Sequence, residues 1–215
     1  MKVSRLLVTA LFLSSIALAA TASADDVTFI GATGSVVGGV YVAPYQLQDS
    51  GILGGATINV ICDDFSDDVF PGETWNAQIE NFSSNGTPGN GALFAALPNS
   101  TMLYDDAVYL YSESLNGSAD AGGVNYAIWG LFDPSVVTGA AYASTDAATL
   151  LAGITPSELN SFDFSAYELI TPTGNGSTGS RPQEYIYQTP EPSSLLLLSS
   201  GLIGLGFMKR KVFQS

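Results

Sequence analysis

Apolar residues fall into three patterns along the chain. The first is a continuous run from Leu6 to Leu13 that extends through Ala20. The second fills the middle: short apolar stretches, rich in β-branched and aromatic residues, bounded by Gly, Pro, Asn or Asp. These predict strands over Val27–Ile30, Gly39–Val42, Thr57–Ile61, Thr74–Ile79, Phe164–Ile170 and Glu184–Tyr187. Within it, two segments change period. Leu103, Ala107, Leu110 and Tyr111 share one helical face over Thr101–Leu115. Val124, Ala127, Ile128 and Leu131 repeat the spacing before Asp133-Pro134 stops the turn. A third helix is expected over Asp146–Leu151, a flexible loop over Gly174–Arg181 and a linker over Gln188–Pro192. The third pattern is an apolar stretch from Leu195 to Met208. No repeat of solenoid period occurs. The expected fold is α+β and mainly β: one β-sandwich or barrel-like domain with a small helical portion, residues 25–188, between two terminal segments.

The terminal segments read as addresses. Lys2 and Arg5, the apolar run and the small-residue triplet Ala22-Ser23-Ala24 form a signal peptide over residues 1–24, with signal peptidase expected to leave Asp25 as the new N-terminus. No Cys follows the run, so a lipoprotein signal is not expected. At the other end, Thr189 is followed by Pro190-Glu191-Pro192, the apolar stretch and Lys209-Arg210-Lys211. This order resembles the PEP-CTERM sorting tail of Gram-negative bacteria. The resemblance implies that residues 189–215 are recognised by a membrane protease of the exosortase type, which removes the tail and delivers the body to the cell surface or exopolysaccharide matrix. The prolines keep the triplet extended, and the basic end is held on the cytoplasmic side. Fourteen residues of helix, 195–208, rise only about 21 Å against a hydrocarbon core of roughly 30 Å, which suits a transient membrane tether. A permanent C-terminal anchor is the alternative.

Charge narrows the function classes. The chain carries a formal −14, but its basic residues crowd the two ends. Between Asp25 and Pro190, nineteen carboxylates face Arg181 alone, a formal −18. Nucleic-acid binding, which needs cations to displace phosphate counterions, is excluded. The absence of His and of any Lys in the body also removes His-based acid-base chemistry, His metal sites and Schiff-base lysines. No Gly-x-Ser-x-Gly elbow occurs. Asp49-Ser50-Gly51 reads as a turn rather than half of an aspartic-protease pair, and no spacing singles out two glycosidase carboxylates. The expected body is not an enzyme. Asn-x-Ser/Thr triplets at Asn81, Asn85, Asn99, Asn116 and Asn175 mark surface loops.

Two constellations carry candidate chemistry. Asp63, Asp64, Asp67 and Asp68 are weak calcium candidates, with Glu73, Asp105 and Asp106 as further oxygen donors. Read as an EF-hand from Asp64, however, the loop has Val69 in place of the required Gly and Trp75 in place of the bidentate Glu. The second is Cys62, the chain's single cysteine and so barred from an internal disulfide. Its context, NVICDDFSDDVFPGETW over Asn59–Trp75, is followed by AVYLY at Ala107–Tyr111 and VNYAIW at Val124–Trp129. Over Ile58–Phe132 this resembles the thioester domain of surface adhesins, in which a Cys and a Gln join with loss of ammonia. The resemblance makes Cys62 and Asn125 a degenerate thioester pair, with Val124-Asn125 in the Thr-Gln places, and it implies that their side chains meet. The alternative is a small buried Cys62 beside a core Trp129.

The reading that follows is an exported, non-enzymatic surface or matrix protein, with signal peptidase, an exosortase and exopolysaccharide as partners and a membrane tether before processing. The alternatives are a covalent adhesin or a carbohydrate-, calcium- or ice-binding module. Sugar binding would use Tyr41, Tyr45, Trp75 or Tyr142. An ice binder would show a flat repeated Thr array, which this chain lacks.

Overall fold

The computed structural model describes residues 23–49, 55–83, 86, 88 and 91–189. Six strands close an antiparallel barrel: β1 (Ser23–Ala32), β4 (Tyr45–Asp49), β5 (Thr57–Cys62), β8 (Tyr185–Gln188), β7 (Tyr167–Pro172) and β6 (Thr74–Asn81), in that order around the wall. A separate ribbon, β2 (Val36–Val37) and β3 (Val40–Tyr41), turns through Gly38-Gly39. Both glycines have positive φ, 61° and 91°, the backbone that a two-residue hairpin needs.

Period-2 alternation builds the interior. Trp75, Ala77 and Ile79 of β6 are buried while Thr74 and Asn76 are exposed. Their partners follow the pleat: Val27 faces Trp75, Phe29 faces Leu47, Leu47 faces Ile58 and Val60 faces Tyr187. On β5 the alternation ends at Val60, because Ile61 on the opposite face is buried too. Leu169 on β7 and Ile186 on β8 pair with each other and are also fully buried. This second buried face lies under helices. Tyr111 of α1 (Ser100–Leu115) donates to the carbonyl of Asn59, and Tyr104 of α1 reaches Glu184 beside β8.

Helix α2 (Ala121–Phe132) packs against α1 and β5 and is buried along most of its length. Asp120 caps it by accepting from the N–H groups of Gly122 and Gly123. Gly123 lets the Asp146 carboxylate lie against the helix; a β-carbon there would make that exposed carboxylate swing aside. Three shorter helices follow: α3 (Ala140–Ala143), α4 (Ala147–Gly153) and α5 (Pro156–Ser161), the last started by a Thr155/Glu158 capping box.

Expectation and structure differ in detail. The stretch Phe164–Ala166 is a 3-10 turn, so the expected strand begins only at Tyr167. Strand β4 was not expected, because its alternation is carried by Gln46 and Gln48 on the outer face. The barrel-like, mainly β domain expected from the chain is a closed six-stranded antiparallel barrel with a few helices packed on it. Ser23 and Ala24 pair with Ile79 and Gln78, so cleavage before Asp25 falls inside β1. Ala22, the apolar run, Pro190-Glu191-Pro192, the stretch 195–208 and Lys209-Arg210-Lys211 lie outside the described residues. No helix among the described residues is long and apolar enough to cross a membrane.

Candidate functional site

Strand β5 delivers Cys62 to one end of the barrel, opposite Tyr185 of β8. The thiol is fully buried and donates to the carbonyl of Asp64 at 3.0 Å. Helix α2 places Asn125 beside it. The Asn125 Nδ2 group donates to the Cys62 carbonyl at 2.9 Å, and Oδ1 accepts the N–H of Ala43 at 2.8 Å. Because a backbone N–H can only donate and a carbonyl only accept, these partners fix the carboxamide's orientation. Asn125 thus holds the Cys62 main chain and not its thiol, which donates to Asp64 instead, and it joins the β3–β4 connection, the end of β5 and α2. Burial first, and then the Asp63 and Asp64 carboxyls, push the thiol well above its ordinary range. A protonated, enclosed thiol is a weak nucleophile.

The four aspartates diverge after Cys62. Asp63 is fully buried and turned toward the second layer, where it meets Glu184, also fully buried. Glu184 accepts from the Tyr104 hydroxyl, the Leu93 N–H and the Thr171 hydroxyl. No donor in the described residues serves the Asp63 oxygens. Two adjacent buried carboxyls without a cation share a proton, and the one with no other donors holds it. Burial pushes Asp63 well above the usual carboxylate range, and Glu184 and Asp64 push the same way. Glu184 is raised by burial, opposed by its donors, Thr171 first. Asp64 is pushed up to about 7 by burial, against the Ser66 N–H.

Asp67 pairs with Arg181, whose guanidinium also lies 4.0 Å from Asp64. Asp68 lies on the surface. Among the described residues, no three acidic or sulfur side chains are grouped as a cation would require, so the weak calcium quartet does not converge. Nor do its further donors join it as one group: Glu73 accepts the Phe70 N–H and the Thr178 hydroxyl, and so ties the 70–73 turn to the loop before β8. Asp105 and Asp106 sit half-buried on α1, where burial raises both and brings Asp105 to about 6.

A cleft of about 460 Å³ opens between the β2–β3 ribbon and the loop that follows β5. Its floor includes Tyr45 and Trp129, and its walls are the β2–β3 ribbon and the loop from Phe65 to Pro71. Phe65 packs on Trp129 at 5.0 Å between ring centroids. The β-bulge in β1 between Phe29 and Gly31 lies at its edge, and pairing with β4 resumes beyond it at Gly31 and Ala32. Of the aromatics expected to meet sugar, Tyr41 is 60% exposed on the lip, whereas Tyr45 is buried and Trp75 stacks on Tyr185 inside the barrel. Tyr142 is half-buried against the core. Sequence reasoning missed Glu184, Phe65, Phe70 and Gln183. A charge heading the otherwise apolar Glu184–Tyr187 run was the one available signal for the first.

The PEP-CTERM protein-sorting motif matches residues 188–211. No curated protein and no solved structure matches the chain. The motif begins on the last residue of β8, so the folded barrel ends where the address starts. The chain therefore carries a PEP-CTERM sorting motif, the signal of a secreted protein targeted to an exosortase for processing and to the cell surface.

Proposed function

We propose that this protein is a non-enzymatic component of the cell surface or exopolysaccharide matrix, tethered at the inner membrane by its C-terminal apolar stretch until an exosortase releases the body. The observation that carries the reading is the junction between barrel and motif. Gln188 closes β8, and Thr189 is fastened by its N–H and hydroxyl to the carbonyl of Ala166. Proteolysis in the Pro190–Pro192 triplet then removes no hydrogen bond of the described barrel. The buried thiol and the enclosed Asp63–Glu184 pair, neither placed to meet a substrate, support a passive body.

The contact between Asn125 and Cys62 favours one second reading, a covalent adhesin. Against it, both ends of the Asn125 carboxamide already hold backbone groups.

Intact mass of the protein recovered from its producer tests both. The expected mass runs from Asp25 to the Pro190–Pro192 region with a free thiol. A mass retaining the tail would overturn exosortase release, and a mass short by one ammonia, with Cys62 blocked until amine treatment, would establish the adhesin.

A further inference from the structure

All three exposed aromatic side chains among the described residues, Tyr41 at 60%, Phe70 at 57% and Phe65 at 37%, line the same cleft at the barrel mouth. Exposed apolar residues scattered singly need no explanation, but aromatic rings gathered around a concavity mark a contact surface. The cleft's volume, about 460 Å³, falls within the range of roughly 300–1,000 Å³ for small-ligand sites. Polar groups are interleaved with the rings: Asp68 and Gln183 join the lining. Gln183 is held in place, donating to the Asp64 carbonyl at 2.9 Å and accepting from the Tyr185 hydroxyl at 3.1 Å.

From this we infer that the cleft binds a segment of an uncharged polysaccharide, with Tyr41 and Phe70 as stacking platforms and Asp68 and Gln183 as hydrogen-bonding partners for hydroxyls. The inference rests on the matrix reading above and names the ligand class. A pyranose ring offers an apolar face of C–H groups for an aromatic ring and a rim of hydroxyls for a carboxylate or amide, which is the mixture this cleft presents. Charge selects among sugars. Asp68 is the only charged residue in the lining, and the body's one cation, Arg181, is engaged by Asp67 and Asp64. A uronate or sulfate would enter a field set by a formal −18 without a counter-charge to meet it.

The test is native affinity electrophoresis of protein produced in its own host, run through gels containing barley β-glucan, xyloglucan, galactomannan or dextran, and in parallel through alginate. Wild type is expected to be retarded by at least one neutral polymer and not by alginate. The Tyr41→Ala/Phe70→Ala double variant should lose affinity by about tenfold or more, while Leu97→Ala, exposed outside the cleft, should bind as wild type. Matching urea midpoints for all three proteins exclude a folding effect. No retardation by any neutral polymer, equal retardation of the double variant, or preference for alginate would each overturn the inference. The intact mass of the same preparation separates the two levels: a correctly processed protein that binds none of the polymers loses the cleft proposal and keeps the matrix reading, whereas a retained tail removes exosortase release whatever the gels show.

Discussion

The wall between the barrel and its helices and the cleft at the barrel mouth invert the usual partition of residues in opposite directions. In the wall, the acidic residues Asp63 and Glu184 are fully buried among Leu169, Ile186 and Tyr104. In the cleft, Phe65, Phe70 and Tyr41 stand in solvent. The chain passes from one regime to the other within three residues, from Asp63 to Phe65. Buried carboxyls persist only with donors or a shared proton, so the wall is closed and structural. The cleft aromatics are exposed in spite of their apolar surface, with Phe65 resting on Trp129, so the cleft is an open surface.

Four experiments break or sharpen this contrast. The largest effect is expected from Glu184→Leu. It strands the Tyr104 hydroxyl, the Leu93 N–H and the Thr171 hydroxyl, at about 1–3 kcal/mol for each unsatisfied group, so unfolding in urea should shift by about 3 kcal/mol or more. A shift below about 1 kcal/mol would mean that the wall is wet. Asn125→Ala comes next: two buried backbone groups lose their partner, for about 2–4 kcal/mol by the same measurement.

The pH dependence is smaller and has a definite sign. Asp63, Asp64 and Asp105 have folded-state pKa values above their unfolded ones, so the folded protein holds more protons. The stability they confer is full below about pH 4, the unfolded carboxylate value, and is lost as pH rises through about 6 for Asp105 and about 7 for Asp64, with Asp63 raised as well. Asp133, Glu158 and Asp163 are lowered by Ser and Thr partners, and their stabilisation fades on the acid side instead. Thermal unfolding should therefore occur at lower temperature at pH 8 than at pH 5. Asp63→Asn, which keeps a donor toward Glu184 without a titrating proton, should shrink that difference. A melting temperature that climbs from pH 5 to pH 8 would contradict the shared proton. The smallest effect belongs to the cleft: Tyr41→Ala and Phe70→Ala should each change stability by within about 0.5 kcal/mol, and a larger loss would make those rings part of the core.

Much of the barrel was open to inspection in the chain. β5 and β6 announce themselves by alternation, and α1 and α2 by helical spacing with a stop at Asp133-Pro134. β4 was hidden because two glutamines face outward, and α3 and α5, at 4 and 6 residues, are too short for a period to emerge. The hydrogen bond from Asn125 to the Cys62 carbonyl joins residues 63 apart in sequence and was not legible in the chain. Nor were the fates of Asp63, Asp64, Asp67 and Asp68, because local composition reads four similar aspartates as one solvated cluster.

Export, the exosortase address, the acidic body and the absence of His-based chemistry are properties of composition and of contiguous motifs, read by machinery or by solvent without reference to a fold. Which aspartate is buried, which aromatics remain exposed, and that Asn125 closes on Cys62 depended on the tertiary structure. Those outcomes turn on which face of each strand the helices cover, and that is set by contacts between segments distant in sequence, where periodicity carries no information.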